Sequence, residues 1–307
     1  MSKADKTILV FGATGQQGGS VAKALRSAGW RVRAFVRNPD NANAKALAAT
    51  GIELARGDLA DSQSINDAMA GIHGVFSVQP SSGQGAAYGV TDEDEVRYGT
   101  AVADIALKNG VRHFVYSSTG AAGPDKTGMG HFDSKSEIEA HVRGLDMVHT
   151  IVRPSAFMEI LMLPGMGLDK GEFTFFMHAD QQMQFIAVED IGKIVAGIFS
   201  EPERYSSRTI EIASDAVTGK DLATKFSAVA ARTIGYRRFP DSLLEQNPFL
   251  GTLAKLADDG RLTGNADIAA LHEAFPGLLT FDQWLEGAGR DALLAAINAT
   301  GDTVSLR

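Results

Sequence analysis

The sequence of 307 residues is 44% hydrophobic and 21% charged, and it contains 33 glycines and no cysteine. These values exclude a disordered chain, a collagen and a coiled coil, and the lack of cysteine excludes a disulfide framework, an iron–sulfur cluster and a thiol nucleophile. The formal net charge of −8 argues against direct binding of nucleic acid or of an anionic membrane, because both need a basic surface.

Short apolar or β-branched segments alternate with segments of helical spacing through the first half of the chain. The predicted strands are 7–11, 32–36, 52–55, 74–78, 113–117 and 147–152, and the predicted helices are 18–28, 41–50, 62–70, 92–109 and 133–143. Alternation of this kind indicates βαβ units around a parallel sheet. The sequence therefore predicts an α/β protein with a Rossmann-type, doubly wound parallel sheet.

The pattern changes after Pro154. Residues 157–185 are rich in methionine and phenylalanine, which predicts the core of a smaller lobe, or alternatively a pliable apolar pocket or partner surface. Residues 189–199 predict one more helix on the sheet and 209–213 one more strand, whereas the chain from 218 onward is mostly helical, with Trp284 as a packing anchor. We therefore expect a Rossmann domain over 1–153, to which 186–213 return, and a smaller, mostly helical lobe made of 154–185 and 214–307.

A glycine-rich loop follows the first predicted strand directly and leads into the first predicted helix. Glycines there let backbone N–H groups and the helix N-terminus approach a pyrophosphate. The spacing is G-x-x-G-x-x-G, and the alternative is a tight turn that binds no ligand. The predicted pyrophosphate site consists of Gly12, Thr14, Gly15, Gln16, Gln17 and Gly18.

The end of the second predicted strand distinguishes NAD from NADP. A carboxylate there would bond the ribose 2′-hydroxyl, whereas an arginine accommodates a 2′-phosphate. The sequence has Arg37 at this point and no acid before Asp40, and Arg33 is expected to add positive potential. Residues 1–60 hold nine basic and four acidic residues, so they sum to +5. NADP(H) is therefore the predicted cofactor and the Rossmann domain its binding domain, although Arg37 could instead be an ordinary solvated charge.

Two further segments are expected at the edge of this site. Asp58 and Leu59 follow the third predicted strand and are expected to lie beside the adenine, although Asp58 could equally be the N-cap of a helix. Val78, Gln79 and Pro80 lie at the carboxyl end of the fourth predicted strand, so we expect them near the nicotinamide.

Together these segments resemble the NmrA-like branch of the atypical short-chain dehydrogenase/reductase family. The shared pieces are VFGATGQQGGSVA near the start, VRAFVRN, GDLAD at 57–61, GVFSVQP at 74–80, HFDSK at 131–135, VEDIG at 188–192 and LTFDQWL at 279–285. HFDSK and DQWL are most similar to the HSCARG-type redox sensor proteins of that family. The resemblance covers nearly the whole chain and implies a Rossmann-type fold, NADP binding, and a sensing or regulatory role without evident dehydrogenase chemistry.

Short-chain dehydrogenases place a Tyr-x-x-x-Lys pair on one helix face, with a serine at the end of the fifth strand. Here the lysine is Lys135 and the serine is Ser117 or Ser118, but His131 stands at the tyrosine position. His131 could still shuttle a proton, Lys135 could work without it as in isoflavone-reductase-like relatives, or Lys135 could only bind the nicotinamide ribose. The candidate catalytic residues are Lys135, His131 and Ser117, and Lys135 is also a candidate cofactor ligand.

Two functions stay open at this point. The first is a cytoplasmic NADP(H)-binding redox sensor or regulator with weak or no dehydrogenase activity, which would sense through its nucleotide because it has no thiol. The second is an NADPH-dependent oxidoreductase that reduces an apolar carbonyl, quinone or imine held between Lys135 and the Met/Phe-rich segment. A protein partner, a small apolar substrate and a homodimer are all compatible with the sequence. The spacing of the histidines does not predict a metal site. The apolar segment at residues 8–11 is too short to cross a membrane, so no membrane contact is expected.

Overall fold

The computed structural model describes residues 2–84 and 89–299. Within this part of the chain the backbone divides into two compact units. The first unit comprises Met1–Lys126, Gly130–Arg153 and Val188–Ile210, and the second comprises Thr127–Met129, Pro154–Ala187 and Glu211–Arg307. Each unit is therefore built from separate stretches of sequence.

The strands of the described residues form three sheets. They are β1 (Thr7–Val10), β2 (Arg31–Val36), β3 (Glu53–Arg56), β4 (Gly74–Ser77), β5 (His113–Ser117), β6 (His149–Pro154), β7 (Ala156–Phe157), β8 (Glu172–Phe175), β9 (Gln182–Ile186), β10 (Arg208–Ile212), β11 (Asp215–Thr218) and β12 (Gly235–Arg238). The large sheet has the order β10-β6-β5-β4-β1-β2-β3, and the pairs from β6 to β3 are parallel. The strand order reverses between β1 and β4, which is the switch point of a doubly wound fold. The predicted Rossmann-type architecture is confirmed.

The helices lie between and after these strands. They are α1 (Gln16–Ser27), α2 (Ala42–Ala49), α3 (Ser62–Ala68), α4 (Asp92–Lys108), α5 (Gly130–Gly144), α6 (Val188–Ser200), α7 (Pro202–Tyr205), α8 (Gly219–Ala230), α9 (Asp241–Gln246), α10 (Pro248–Asp258), α11 (Ile268–Ala274), α12 (Phe281–Glu286) and α13 (Ala288–Asn298). Short 3₁₀ turns occur at Lys3–Asp5, Ser82–Gln84, Met158–Met162 and Leu168–Lys170. None of the helices in residues 2–84 and 89–299 is long and apolar enough to cross a membrane.

The core of the first unit joins the sheet to α4 and α5. Leu9, Phe114 and Ile138 are completely buried in this cluster, and each such side chain stabilises the fold by about 1.5–3 kcal/mol through burial. Gly99 lets α4 approach α5 closely, because a Cβ at that position would lie 2.6 Å from Cδ1 of Ile138. The packing brings the first turns of the two helices together at the carboxyl edge of the sheet.

Helix α6 packs against α1 in the first unit. The Oγ atom of Ser20 donates to the carbonyl oxygen of Glu189 at 3.2 Å. Gly192 has no room for a side chain, since its Cβ would lie 2.4 Å from Oγ of Ser20. The first helix of the chain is thus supported by a helix that follows it only after more than a hundred residues.

The second unit has an aromatic and methionine-rich core. Its strands form a three-stranded sheet of order β11-β9-β7 and a two-stranded sheet of β12 and β8. Most of the Met/Phe-rich segment is buried, including Met158, Met166, Met177, Met183, Phe173, Phe175, Phe176 and Phe185, which confirms the prediction of a lobe core. Trp284 is only 2% exposed and contacts Phe281 edge-on. The short strands β7, β8, β9, β11 and β12 were not predicted.

Helix and strand ends differ from the predictions by one or two residues at several places. The first helix begins at Gln16 and not at 18, so Gly18 lies inside its first turn. The strand predicted at 147–152 runs over His149–Pro154. Differences of this size are normal at the ends of elements, where fraying and capping compete with the regular ladder.

Candidate functional site

The glycine loop between β1 and α1 depends on close backbone packing. Gly12 has a φ of +65°, and a Cβ there would lie 2.7 Å from Cγ1 of Val78. The carbonyl oxygen of Gly12 accepts from the amide of Gly15 at 2.9 Å. A Cβ at Gly18 would lie 2.3 Å from that same oxygen. Side chains at these positions would push the loop away from the helix that it leads into.

The N-terminus of α1 carries no side-chain cap. Its N-cap residue is Gly15, and no acidic residue lies in the first turn. The partial positive charge of the helix end is therefore not offset by a carboxylate in the first turn of α1, which suits an anion. The loop is fixed from α2, because Nδ2 of Asn43 donates to the carbonyl oxygen of Thr14 at 3.0 Å. The backbone here fits a pyrophosphate group.

Two arginines of β2 and its end differ in their surroundings. Arg33 pairs with Oε1 of Glu53 at 2.8 Å and donates to the carbonyl oxygens of Ala68 and Ala70. Arg33 therefore adds no free positive charge, contrary to the prediction. Arg37 is exposed and makes no hydrogen bond or ion pair within residues 2–84 and 89–299. Its guanidinium is available to a phosphate.

Asp58 lies exposed just beyond β3. Its Oδ1 accepts from the amide of Ala60 at 2.9 Å, whereas the N-cap of α3 is Asp61, which accepts from the amide of Gln63 at 3.0 Å. The alternative role of Asp58 as a helix N-cap is therefore wrong. Leu59 is half-buried against the core of the first unit.

Val78, Gln79 and Pro80 follow β4 directly. The side chain of Gln79 is only 7% exposed, and its Nε2 donates to Oγ of Ser77 at 2.8 Å. Its Oε1 is buried without a partner among the described residues. A buried polar atom left in this state is commonly satisfied by a water or a ligand, so the carboxyl end of β4 offers an acceptor to a bound N–H group.

The predicted catalytic serine lies next to a predicted pyrophosphate ligand. Ser117, at the end of β5, is buried, and its Oγ donates to Oε1 of Gln17 at 2.7 Å. Within the described residues it makes no hydrogen bond to Lys135, whose contacts lie elsewhere. The structure thus brings the Ser117 hydroxyl to Gln17 in the first turn of α1.

Lys135 on α5 is held by three acceptors. Its Nζ pairs with Oε1 of Glu95, and it donates to Oγ of Ser81 at 3.3 Å and to the carbonyl oxygen of His131 at 3.2 Å. The Lys135 side chain is 13% exposed and that of Glu95 only 1%. Because an ammonium has three N–H donors, every donor of Lys135 has a partner.

Glu95 was not predicted as a site residue. It belongs to the run of four acids that begins α4, a pattern that the helix dipole alone explains. Its second oxygen, Oε2, accepts from Oγ of Ser134 at 3.0 Å. The structure therefore uses both oxygens of this buried carboxylate to bind α5.

His131 lies half-buried in the first turn of α5. A Cβ at Gly83 would lie 2.8 Å from Cδ2 of the imidazole, so the glycine lets the turn after β4 contact the ring. The four-residue spacing brings the backbone of His131 to Lys135, since Nζ donates to the His131 carbonyl oxygen. The imidazole itself packs against Gly83.

A second buried carboxylate, Glu139, fixes α5 to the end of β6. Arg153 donates to it through Nε at 2.8 Å and Nη2 at 2.7 Å, and Arg143 donates at 2.6 Å. Burial is the largest single influence and raises the pKa of Glu139, but the hydrogen bonds from Arg153, Ser118 and Arg143 and the charge of Arg153 together hold this pKa below its usual value. This network secures the helix that carries Lys135.

Comparison with known proteins matches this chain to one family. The model of the NmrA-like family matches residues 4–274. An NmrA-like family domain-containing oxidoreductase of Aspergillus hancockii is 29% identical, over 76% of this chain and 75% of that protein. An NAD(P)H azoreductase of Xenophilus azovorans is 29% identical, over 75% and 76%.

A solved structure shares the fold. It is NmrA, a negative transcriptional regulator, whose crystal structures include complexes with NAD and with NADP. NmrA is 21% identical to this chain, with a TM-score of 0.76 over 94% of this chain and 97% of NmrA. At this level of identity, the likeness establishes the architecture.

Proposed function

The chain belongs to the NmrA-like family, and from that premise we propose that its first unit binds NADP(H) and that the protein acts as a redox sensor or regulator with weak or no dehydrogenase activity. The observation that carries this proposal is a helix N-terminus without a side-chain cap behind a tightly packed glycine loop. Just after β2, Arg37 is exposed and has no side-chain partner among the described residues. We assign recognition of a substrate or protein partner to the second unit.

Each part of the dinucleotide has a set of candidate ligands. The pyrophosphate is assigned to the loop and first turn, the 2′-phosphate to Arg37, the adenine to the segment after β3 and the nicotinamide side to the segment after β4. The pyrophosphate ligands are Gly12, Thr14, Gly15, Gln16, Gln17 and Gly18, and the 2′-phosphate ligand is Arg37. Asp58 and Leu59 are assigned to the adenine, and Val78, Gln79, Pro80 and Lys135 to the nicotinamide side. The buried Oε1 of Gln79, which has no partner among the described residues, supports the last assignment.

The preference for NADP over NAD depends on one charge. Arg33 pairs with Glu53, so Arg37, just beyond the carboxyl end of β2, is the arginine assigned to the 2′-phosphate. A guanidinium on a phosphate forms charge-assisted hydrogen bonds worth about 1.5–3 kcal/mol. That energy corresponds to roughly a tenfold to hundredfold preference for NADP(H).

Weak turnover follows from the groups around Lys135. Bound NADPH supplies a hydride, and reduction of a carbonyl also needs a proton donor beside it. The family's tyrosine is replaced by His131, whose ring packs against Gly83. The donors of Lys135 are all engaged, one of them by buried Glu95. This arrangement supports binding more than rapid proton transfer.

Titration calorimetry with NADPH and NADH tests the binding proposal. We expect NADPH to bind at least tenfold more tightly, and Arg37→Glu to abolish that preference. Arg31→Glu is the matched control, because Arg31 is an exposed arginine at the amino end of the same strand. Equal affinities of the wild type for the two cofactors, or equal effects of the two charge reversals, would contradict the phosphate assignment.

A second candidate function is an NADPH-dependent reductase that uses Lys135. The relatives named as oxidoreductases and as an azoreductase favour it. The test is loss of NADPH absorbance with apolar carbonyl, quinone, imine and azo acceptors. Turnover that disappears in Lys135→Met supports this function. If every acceptor is inert at saturating NADPH, the sensor proposal is favoured.

A further inference from the structure

The Glu95 carboxylate has no part in the assignments above, yet it is the most buried partner of Lys135. Its side chain is 1% exposed, with Oε1 on Nζ of Lys135 and Oε2 on Oγ of Ser134. A buried charge of this kind is costly unless it is fully paired. Glu95 meets that condition, so the ion pair is a defined feature of the first unit.

We propose that Glu95 is a positioning residue, which holds the Lys135 ammonium at the carboxyl edge of the sheet for the nicotinamide half of NADP(H). This inference rests on the proposed function. A lysine ammonium is a strongly hydrated point charge on a flexible stem, and without a fixed partner it would move toward solvent. Glu95 supplies that partner from the neighbouring helix.

The carboxylate is itself held in place. Ser134 occupies its second oxygen, and α4 approaches α5 closely at Gly99, where a Cβ would meet Ile138. Neither oxygen of Glu95 can turn away without breaking a buried hydrogen bond. The position of Nζ is therefore set by the packing of two helices, and not by the lysine rotamer alone.

The neighbours of Nζ point to the nicotinamide half. Ser81, the third acceptor, directly follows the Val78–Gln79–Pro80 segment, and its contact with Nζ is 3.3 Å long. Ser81 is a neutral acceptor, whereas Glu95 is charged and almost fully buried. A ligand hydroxyl can therefore replace Ser81 on the ammonium while Glu95 keeps its hold.

The test compares the whole cofactor with its adenine half. The probes are NADPH and 2′,5′-ADP, measured by calorimetry on the full chain. Glu95→Gln keeps the shape and a hydrogen-bonding side chain but removes the charge. We expect it to weaken NADPH about tenfold and to leave 2′,5′-ADP within about twofold. Because Glu95 acts through Lys135, the double variant Glu95→Gln/Lys135→Met should lose no more NADPH affinity than Lys135→Met alone.

Two further variants separate positioning from general damage. Glu139→Gln removes the charge of a buried carboxylate on α5 that does not contact Lys135, and we expect it to lower Tm while the ratio of NADPH to 2′,5′-ADP affinity stays at the wild-type value. Ser134→Ala removes the hydrogen bond to Oε2 of Glu95 and should give a smaller loss for NADPH alone. Ser134→Ala keeps the test decisive if Glu95→Gln does not fold.

The outcomes distinguish this inference from the proposed function. If wild-type protein binds 2′,5′-ADP and NADPH, and neither Glu95→Gln nor Ser134→Ala changes NADPH affinity, the positioning role is overturned and the cofactor site stands. Equal losses for both probes would show a structural role only and would also overturn it. If the wild type binds neither probe, the proposed function fails and this inference falls with it.

Discussion

His113 gives the first unit a specific sensitivity to acid. The ring is 2% exposed at the start of β5, and its Nε2 lies 2.8 Å from Oγ1 of Thr150. That hydroxyl donates its own proton to the carbonyl oxygen of Tyr205, so it must accept from Nε2–H. The other nitrogen, Nδ1, is therefore unprotonated, and it has no partner among the described residues. A second proton would create a buried, unpaired charge.

The size of the effect follows from the pKa. Burial is the main cause that lowers the pKa of His113 from 6.5 to about 4, with repulsion from His73 and His149 adding to it. The unfolded chain takes up this proton near pH 6.5 and the folded chain only near pH 4. The free energy of unfolding therefore falls as the pH drops through this window, by about 3 kcal/mol when the window is crossed. Above pH 6.5 the contribution is complete.

Urea unfolding between pH 7.5 and pH 4.5, compared for the wild type and His113→Gln, measures this contribution. Trp30 lies in the first unit and contacts the Phe199 ring, so its fluorescence in a Trp284→Phe background follows that unit. We expect the wild type to lose about 2–3 kcal/mol more than the variant over this range. Curves that stay parallel within about 0.5 kcal/mol would refute the account.

Three shorter predictions concern other residues. Gly18→Ala should lower NADPH affinity at least tenfold and the unfolding free energy by roughly 1–3 kcal/mol, because the new Cβ would clash with backbone atoms. The control is Gly144→Ala, which has open space around it and should change neither quantity. Unchanged affinity and stability in Gly18→Ala would contradict the loop geometry. Glu139→Gln should lower the free energy of unfolding by about 3 kcal/mol at neutral pH. Since the pKa of Glu139 is lowered, this difference from the wild type should shrink as the pH falls below 4.5, which chemical denaturation across that range measures. A difference that stays constant would be evidence against a charged Glu139. Tyr236→Phe removes a half-buried 2.6 Å hydrogen bond to a backbone carbonyl and should cost about 1 kcal/mol in the same assay. An unchanged midpoint would show that this bond is not stabilising.

Local patterns were enough to predict the Rossmann-type unit. In the first strand, Ile8, Leu9 and Val10 are apolar and completely buried. Of the glycines that follow, Gly12 has a positive φ, and a Cβ at Gly12 or Gly18 would clash. The positive φ of Gly12 and the contact between Gly18 and the Gly12 carbonyl oxygen involve only residues close in sequence. They can therefore be recognised without knowing the tertiary packing.

The remaining features depend on distant partners. Glu95 looks like one of several solvated acids at a helix start, and only the approach of α4 to α5 shows that it is buried against Lys135. The sequence predicts that Arg33 adds positive potential beside Arg37, but only the structure shows that Glu53 on the neighbouring strand pairs with Arg33. The strand Gly235–Arg238 pairs with Glu172–Phe175, and four residues are too few to show a period by themselves.

The packing of α6 on α1 has a consequence for how the chain is made. The helix that follows the glycine loop is the first α-helix of the described residues, but the helix that covers it begins at Val188. After α1 has been made, about 160 further residues, including a stretch of the second unit, must be synthesised before α6 can cover it. Contacts this far apart in sequence form slowly, and nascent chains that wait for them expose apolar surface. We expect the first unit to complete its folding late in synthesis, and a fragment that stops at residue 153 to be unstable.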